Sequence, residues 1–294
     1  VKQEKIGFIG LGFMGFPMCK FLCEDGFDVT VWARKPEAAQ EAVEICGCKS
    51  APTVKELAKN ITVASVVLYD DASVIKVLEE DGLIDNMAPG SIIMVHATIS
   101  LGLTRRLIEV CNKRGITYVD APISGKGGDK GNCTMMAGCS EEIWDRICPI
   151  LKSEGGYAVR VGEATCGIIA KLCNNVALIV EEFGAGYALK MGEKAGCDPD
   201  KLLEVMTQPG TTSNCWFLQN YVYLCPGMEL FDKGEGQFKN LPKDLRLALE
   251  LAKEVGQEFP VAEACIGLNW KDIVCDKYKG LEQTAGLQID SKKK

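Results

Sequence analysis

Three polar side chains, Lys171, Asn174 and Asn175, interrupt the apolar run "GIIAKLCNNVALIV" (167–180) at spacing i, i+3 and i+4. On a helix that spacing puts them on one face, flanked by Ile168, Ile169, Leu172 and Val176. A lysine partly removed from water loses basicity, which suits a general acid that hands a proton to a carbonyl oxygen as hydride reaches the carbon. The same spacing also fits a first-turn lysine that points into solvent. A second group lies in "DAPISGKGGDKGN" (120–132), where Ser124 and the amide of Gly125 are suited to a substrate carboxylate or carbonyl; alone, it also reads as a polar loop. A third, "NLPKDLRLALELAKEVG" (240–256), sets Lys243 and Asp244 at a helix start behind Pro242. There Asp244 most simply complements the helix dipole.

Hydride chemistry needs a carrier, and "GFIGLGFMGFPM" (7–18) offers a site for one. Gly10, Gly12 and Gly15 are spaced G-x-G-x-x-G between a strand candidate, "KIGFI" (5–9), and a helix candidate, "FPMCKFLCEDG" (16–26), with a second strand, "FDVTVWA" (27–33), next. In a strand-turn-helix-strand unit Gly10 permits the tight turn, Gly12 leaves room for a pyrophosphate, and Gly15 lets helix and strand approach. After the second strand comes "WARKP": Ala33 where an acid would grip the adenosine ribose, then Arg34 and Lys35. A guanidinium and an ammonium there favour NADP over NAD, although Arg34 also fits a surface side chain stacked on adenine.

Elements that must position these groups alternate along the first half. Strand candidates "ITVASVVLY" (61–69), "SIIMVHAT" (91–98) and "TYVDAP" (117–122) are separated by helical stretches at 53–60, 73–82 and 100–115. Such alternation implies a parallel, doubly wound sheet, which "CTMMAG" (133–138) and "YAVRVG" (157–162) would finish around a helix at 140–153. From 167 to 196 an apolar pattern of helical period runs too long for a sheet-layer helix, and no convincing strand follows. The expected fold is therefore α/β: a Rossmann-type sheet domain over 1–164, followed by an all-helical C-terminal domain over 165–294 that begins with a long interdomain helix.

Composition agrees with a globular chain. It has 294 residues, 47 % hydrophobic and 25 % charged, enough for one large or two ordinary cores. A formal net charge of −7 argues against a nucleic-acid backbone as the main partner. No apolar run reaches the roughly 18 residues needed to span a bilayer, and the opening "VKQEKIGFIG" passes directly into a strand pattern, so a cytoplasmic protein is expected. The 15 cysteines are scattered without a C-x-x-C pair, and there is one histidine, His96. They read as reduced thiols, with neither a disulfide framework nor a metal site.

Together "GFIGLGFMGFPM", "DAPISG", "GIIAKLCNN" and "KDLRLAL" resemble, over nearly the whole chain, the β-hydroxyacid dehydrogenases, the family of 3-hydroxyisobutyrate dehydrogenase, tartronate semialdehyde reductase and the glyoxylate/succinic semialdehyde reductases. The resemblance implies an NAD(P)-dependent oxidoreductase acting on a short 3-hydroxy acid, its semialdehyde or a related α-oxo acid. Lys171 would be the acid/base, Ser124 and Gly125 the carboxylate anchor, and Asn175 the amide orienting substrate and lysine. Asp244 would assist at the substrate. Gly10, Leu11, Gly12, Phe13, Met14, Gly15, Ala33, Arg34, Lys35, Leu68, Thr98, Phe238 and Lys243 would line the cofactor. A homodimer or homotetramer, a helical domain of the 6-phosphogluconate dehydrogenase C-terminal type and a small carboxylate substrate are also implied.

Departures from the family pattern bear on the substrate. His96 stands where an aspartate is usual, and reads as structural rather than as a proton carrier. Lys126 follows Gly125 and would add positive charge for a more anionic substrate. Thr165 replaces a glycine ahead of the catalytic helix, and Trp216 and Phe217 are bulky in a pocket-shaping region. Two alternatives remain: an imine reductase on this scaffold, whose known kind replaces the lysine, and a non-catalytic dinucleotide-binding or oligomerisation module.

Overall fold

A computed structural model describes residues 4–125, 130–212, 215–231 and 237–281. The chain divides into two compact units, Val1–Leu172 and Cys173–Lys294. The first is built from β1 (Lys5–Ile9), α1 (Gly15–Glu24), β2 (Asp28–Trp32), α2 (Pro36–Cys46), β3 (Lys49–Ser50), α3 (Val54–Ala58), β4 (Val63–Val66), α4 (Asp71–Ile75), α5 (Leu83–Asn86), β5 (Ile92–Val95), α6 (Leu101–Lys113), β6 (Thr117–Asp120), β7 (Ile123–Gly125), β8 (Cys133–Gly138), α7 (Glu141–Gly155) and β9 (Gly156–Gly162).

One nine-stranded sheet takes the order β3-β2-β1-β4-β5-β6-β8-β7, with β9 on β8. Strands β1 to β6 are all parallel, and their order reverses direction at β1/β4, the switch point where doubly wound sheets bind ligands. Side-chain alternation divides the core into two layers. Ile6, Phe8, Val29, Val31, Ile92 and Met94 pack on one face of the sheet with α1 and α7; Ile9, Ala64, Val66, Ile93 and Val95 pack on the other with α3 and α6. Each large apolar side chain fully withdrawn from water stabilises the fold by about 1.5–3 kcal/mol.

The far edge departs from the expected all-parallel sheet. Strand β8 runs antiparallel to β6, with Asp120 opposite Gly138, and antiparallel to β7, with Ile123 opposite Met135 and Gly125 opposite Cys133. A parallel crossover needs about a dozen residues or more. Only residues 126–132 connect β7 to β8, so the chain makes a hairpin instead.

The second unit takes most of α8 (Cys166–Lys194), then α9 (Pro199–Met206), α10 (Trp216–Gln219), α11 (Tyr221–Glu229), α12 (Leu241–Glu254) and α13 (Pro260–Ala264). Among its described residues there is no strand. Helix α8 begins beside the boundary expected near residue 164, and the compact units part within it at Leu172/Cys173. Trp270 organises the core of this unit: its ring lies 4.4 Å from Phe183, 5.0 Å from Phe231 and 5.8 Å from Phe238, and its indole N–H donates to buried Glu182 at 3.0 Å. Among the described residues no helix is long and apolar enough to cross a membrane.

Candidate active site

The glycine turn sits at the C-terminal end of β1. Gly10 has φ +101°, and a Cβ there would lie 2.0 Å from the carbonyl oxygen of Val67; a Cβ at Gly15 would lie 1.8 Å from the Gly10 oxygen. Both contacts exclude any other residue. Around Gly12 nothing lies within 4 Å of the Cβ position, which is the open approach a pyrophosphate requires. Helix α1 starts at Gly15 with Met14 as its cap residue, no side-chain cap and no acid in its first turn. Phe16 N–H donates to the Gly12 oxygen at 3.0 Å and Pro17 carries no N–H, so an anion here would be met by the amides of the glycine turn up to Gly15.

Leu11 and Met14 are packed against the first-unit core beside this turn, and Phe13 stands 81 % exposed at its tip. Leu68, beyond β4, reaches within 3.5 Å of the Gly10 Cβ position. Thr98, half-buried, follows the end of β5. Ala33 follows β2, and Arg34 and Lys35 come next, before α2. No carboxylate occupies the end of β2, so the residues present fit a dinucleotide and set two cations beside the place of its adenosine ribose.

A second set of contacts places Lys171. The Asp120 carboxylate, buried at the end of β6, accepts the backbone N–H of Thr165 through Oδ1 and of Ile168 through Oδ2, both at 2.8 Å. It therefore caps the N-terminus of α8. Burial pushes its pKa up to about 6 against the opposing pull of the amides. Gly167 lets the helix come down on the sheet: a Cβ there would lie 2.3 Å from the Asp120 oxygen and 2.4 Å from that of Met136. Thr165, at φ +83°, is the described non-glycine residue in the left-handed region, a strained state for a β-branched side chain. One turn into this clamped helix, Lys171 is 8 % exposed. Burial raises the Cys133 thiol, and the positive charge of Lys171 opposes that rise; Cys133 is the register partner of Gly125. Lysine, Ser124 and Gly125 thus belong to one corner of the first unit.

In the second unit, one turn further along α8, Asn174 Nδ2 donates to Asn175 Oδ1 at 3.1 Å and Asn175 Nδ2 donates to Asp244 Oδ2 at 2.7 Å. Lys243 Nζ lies 3.1 Å from Asp244 Oδ1. Asp244 is therefore more than a dipole partner for α12: it is buried and fixes the amide of Asn175. Phe238 is 2 % exposed in the Trp270 cluster, and Phe217 is fully buried, edge-on to Tyr221 at 5.4 Å. Lys126 lies outside the described residues.

His96 is buried in a polar network of the first unit. Its Nδ1–H donates to the Ala121 carbonyl oxygen at 2.7 Å, and its Nε2 is 3.0 Å from Ser65 Oγ. Ser65 Oγ is 2.6 Å from Glu154 Oε1, and Glu154 Oε2 is 3.5 Å from His96 Nε2. Burial pulls the imidazole down to about 4 and pushes the carboxyl up to about 8. Sequence reasoning missed Asp120 as a cap, although it stands in the quoted "DAPISG", and it missed Glu154 and Ser65, which are 89 positions apart and carry no local signal.

Residues 5–166 match the family model of the NAD-binding domain of 6-phosphogluconate dehydrogenase, and residues 166–286 that of the NAD-binding domain of NADP-dependent 3-hydroxyisobutyrate dehydrogenase. The chain is 32 % identical over 265 residues to 2-(hydroxymethyl)glutarate dehydrogenase of Eubacterium barkeri, covering 88 % of this chain and 86 % of that one. It is 31 % identical over 264 residues to 3-hydroxyisobutyrate dehydrogenase of Pseudomonas aeruginosa, covering 87 % and 88 %. Its fold matches the solved 3-hydroxyisobutyrate dehydrogenase of Mycobacterium tuberculosis with a TM-score of 0.77 at 24 % identity, covering 92 % and 98 %. The chain belongs to the 3-hydroxyisobutyrate dehydrogenase family of β-hydroxyacid dehydrogenases, enzymes that use a nicotinamide dinucleotide.

Proposed function

We propose that this enzyme interconverts a short 3-hydroxy acid and its semialdehyde, with NADP preferred and Lys171 as the general acid/base. One observation carries the reading: a lysine 8 % exposed, one turn into a helix clamped by Asp120, with its charge acting on the strand opposite Gly125. The reactants named for the two relatives share a hydroxymethyl group on the carbon next to a carboxylate, and the same grouping is proposed for this substrate.

The Ser124 hydroxyl and the Gly125 amide hold the substrate carboxylate, which fixes the reacting carbon and removes the entropy of finding it. A bound nicotinamide would supply or accept the hydride. In reduction the Lys171 ammonium gives a proton to the oxygen as it gains negative charge; in oxidation the neutral amine takes it from the hydroxyl. Asn175, held by Asp244 and Asn174, presents an amide of fixed orientation one turn from the lysine. Arg34 and Lys35 pair with the 2′-phosphate that distinguishes NADP. We further infer a homo-oligomer, since Met191, Val205, Trp216 and Tyr223 expose apolar surface on the helical unit.

The test is initial-rate oxidation of NADPH and NADH, side by side, with glyoxylate and with succinic, methylmalonate and tartronate semialdehydes. Turnover of methylmalonate or tartronate semialdehyde, faster at limiting NADPH than NADH, is the expected result. Dinucleotide binding with no turnover of either, or with turnover of glyoxylate or succinic semialdehyde alone, would reject the substrate class.

A further inference from the structure

Away from the glycine turn, α1 and α2 bring together thiols that sequence spacing leaves apart. Cys19 and Cys23 lie one turn apart on α1, and Cys46 ends α2. Gly47, at φ +70°, turns the chain so that Cys48 leads into β3. The sulfur atoms of Cys19, Cys23 and Cys48 all lie within 4.8 Å of one another. Cys46 is close enough for its charge to act on Cys23 and for Cys48 to act on it. Cys19 and Cys48 are buried, Cys23 and Cys46 partly so, and all four are free thiols.

We propose that Cys19, Cys23, Cys46 and Cys48 form a structural thiolate site for a divalent cation of the zinc class. Apolar packing accounts for a single buried thiol but gives no reason for sulfurs to gather. Zn–S bonds of about 2.3 Å in a tetrahedron hold sulfurs roughly 3.8 Å apart, so three of these four close by about 1 Å or less. An all-sulfur tetrahedral set selects zinc over harder ions. Each ligating thiol gives its proton to solvent as the metal binds. Four protein ligands leave no open coordination position, and the cluster sits toward the C-terminal ends of α1 and α2, near the N-terminal edge of the parallel strands. That is the edge opposite the glycine turn. The ion would therefore tie α1, α2 and the short edge strand β3 together rather than join the reaction.

The experiment is anaerobic titration of the fully reduced protein with Co2+ as a spectroscopic stand-in, followed by Zn2+. The expected result is one cobalt per chain with the visible absorption of tetrahedral thiolate coordination, lost on adding Zn2+. Affinity should fall at least tenfold in Cys48→Ser and stay unchanged in Cys197→Ser, an exposed thiol of the other unit. NADPH binding reports whether each variant is folded. If Cys48→Ser does not fold, alkylation of the wild type decides: Zn2+ should protect Cys23 and Cys46 from iodoacetamide and leave Cys197 reactive. Absence of the thiolate spectrum, its persistence in folded Cys48→Ser, equal alkylation with and without zinc, or a disulfide joining two of the four in freshly isolated protein would each overturn the proposal.

Discussion

The buried pair His96–Glu154 makes a quantitative demand on stability that one isosteric substitution isolates. His96 Nδ1–H donates to the Ala121 carbonyl, which leaves Nε2 as the acceptor of the neutral ring. Ser65 donates to Glu154 Oε1 at 2.6 Å, and the carboxyl proton is carried on Oε2, 3.5 Å from Nε2. Moving that proton to the ring gives an ion pair with the same proton count, so the pair holds one proton from about pH 4 to about pH 8 whichever partner carries it. In the unfolded chain a glutamate releases its proton near pH 4.3 and a histidine near 6.5, roughly.

Because the folded-state pKa of Glu154 is raised, its contribution is full below about pH 4.3 and is lost as pH rises through about 8. The pKa of His96 is lowered, so its contribution is full above about 6.5 and is lost as pH falls through about 4. Between roughly 4.5 and 6.5 the two slopes cancel. Above 6.5 only that of Glu154 remains, and integration to pH 9 gives a loss of about 2 kcal/mol, roughly thirtyfold in the folding equilibrium. The carboxamide introduced by Glu154→Gln reproduces the protonated acid, with an oxygen to accept from Ser65 and an N–H toward His96 Nε2, and does not titrate. Urea unfolding of both proteins at pH 6.5 and pH 9 measures the difference, since every other titrating group is common to the two. The expected result is a variant about 3 kcal/mol more stable than the wild type at pH 6.5, where wild-type folding must return to Glu154 a proton lost near pH 4.3, with that lead growing by about 2 kcal/mol at pH 9. Parallel losses in the two proteins would refute the burial of a shared proton.

Three further outcomes follow from the same structure. Thr165→Gly removes a left-handed β-branched residue and should raise stability by about 1 kcal/mol in urea unfolding, the relief of strain being partly offset by the chain entropy of glycine. Gly167→Ala places a methyl group against two backbone oxygens at 2.3 and 2.4 Å; it should displace the start of α8 and cut kcat about tenfold or more while the dissociation constant for NADPH, read by fluorescence titration, stays within about threefold. Arg34→Ala should raise KM for NADPH by roughly 10- to 100-fold, the loss of one charge-assisted phosphate contact, and leave KM for NADH unchanged in the same initial-rate assay.

Much of this architecture is legible from local pattern. The glycine turn announces itself because Gly15 packs on the oxygen of Gly10 within the same short stretch, and β1, β5 and α8 carry their period in their own residues. What pattern does not reach are relations set by tertiary closure. The reversal of β8 follows from its short connection to β7 (Ile123–Gly125), and three residues are too few to show a strand by their own pattern. Asp120 reads as the end of a strand, and only the fold brings the amides of Thr165 and Ile168 to its carboxylate. The histidine is conspicuous as a singleton, yet its partner Glu154 is one of many acids until α7 packs it inside. The cysteines look scattered because Cys19 and Cys48 meet across two helices.

The central claim is that Lys171 moves the proton. Single-turnover reduction of the best semialdehyde by NADPH, compared between the wild type and Lys171→Ala, tests it most directly, with NADPH affinity measured in parallel. Loss of a general acid costs about 10²- to 10⁴-fold in rate, so Lys171→Ala should slow the reaction by that much with NADPH binding intact. A Lys171→Ala enzyme that keeps the wild-type rate would contradict the claim and assign the proton to another group.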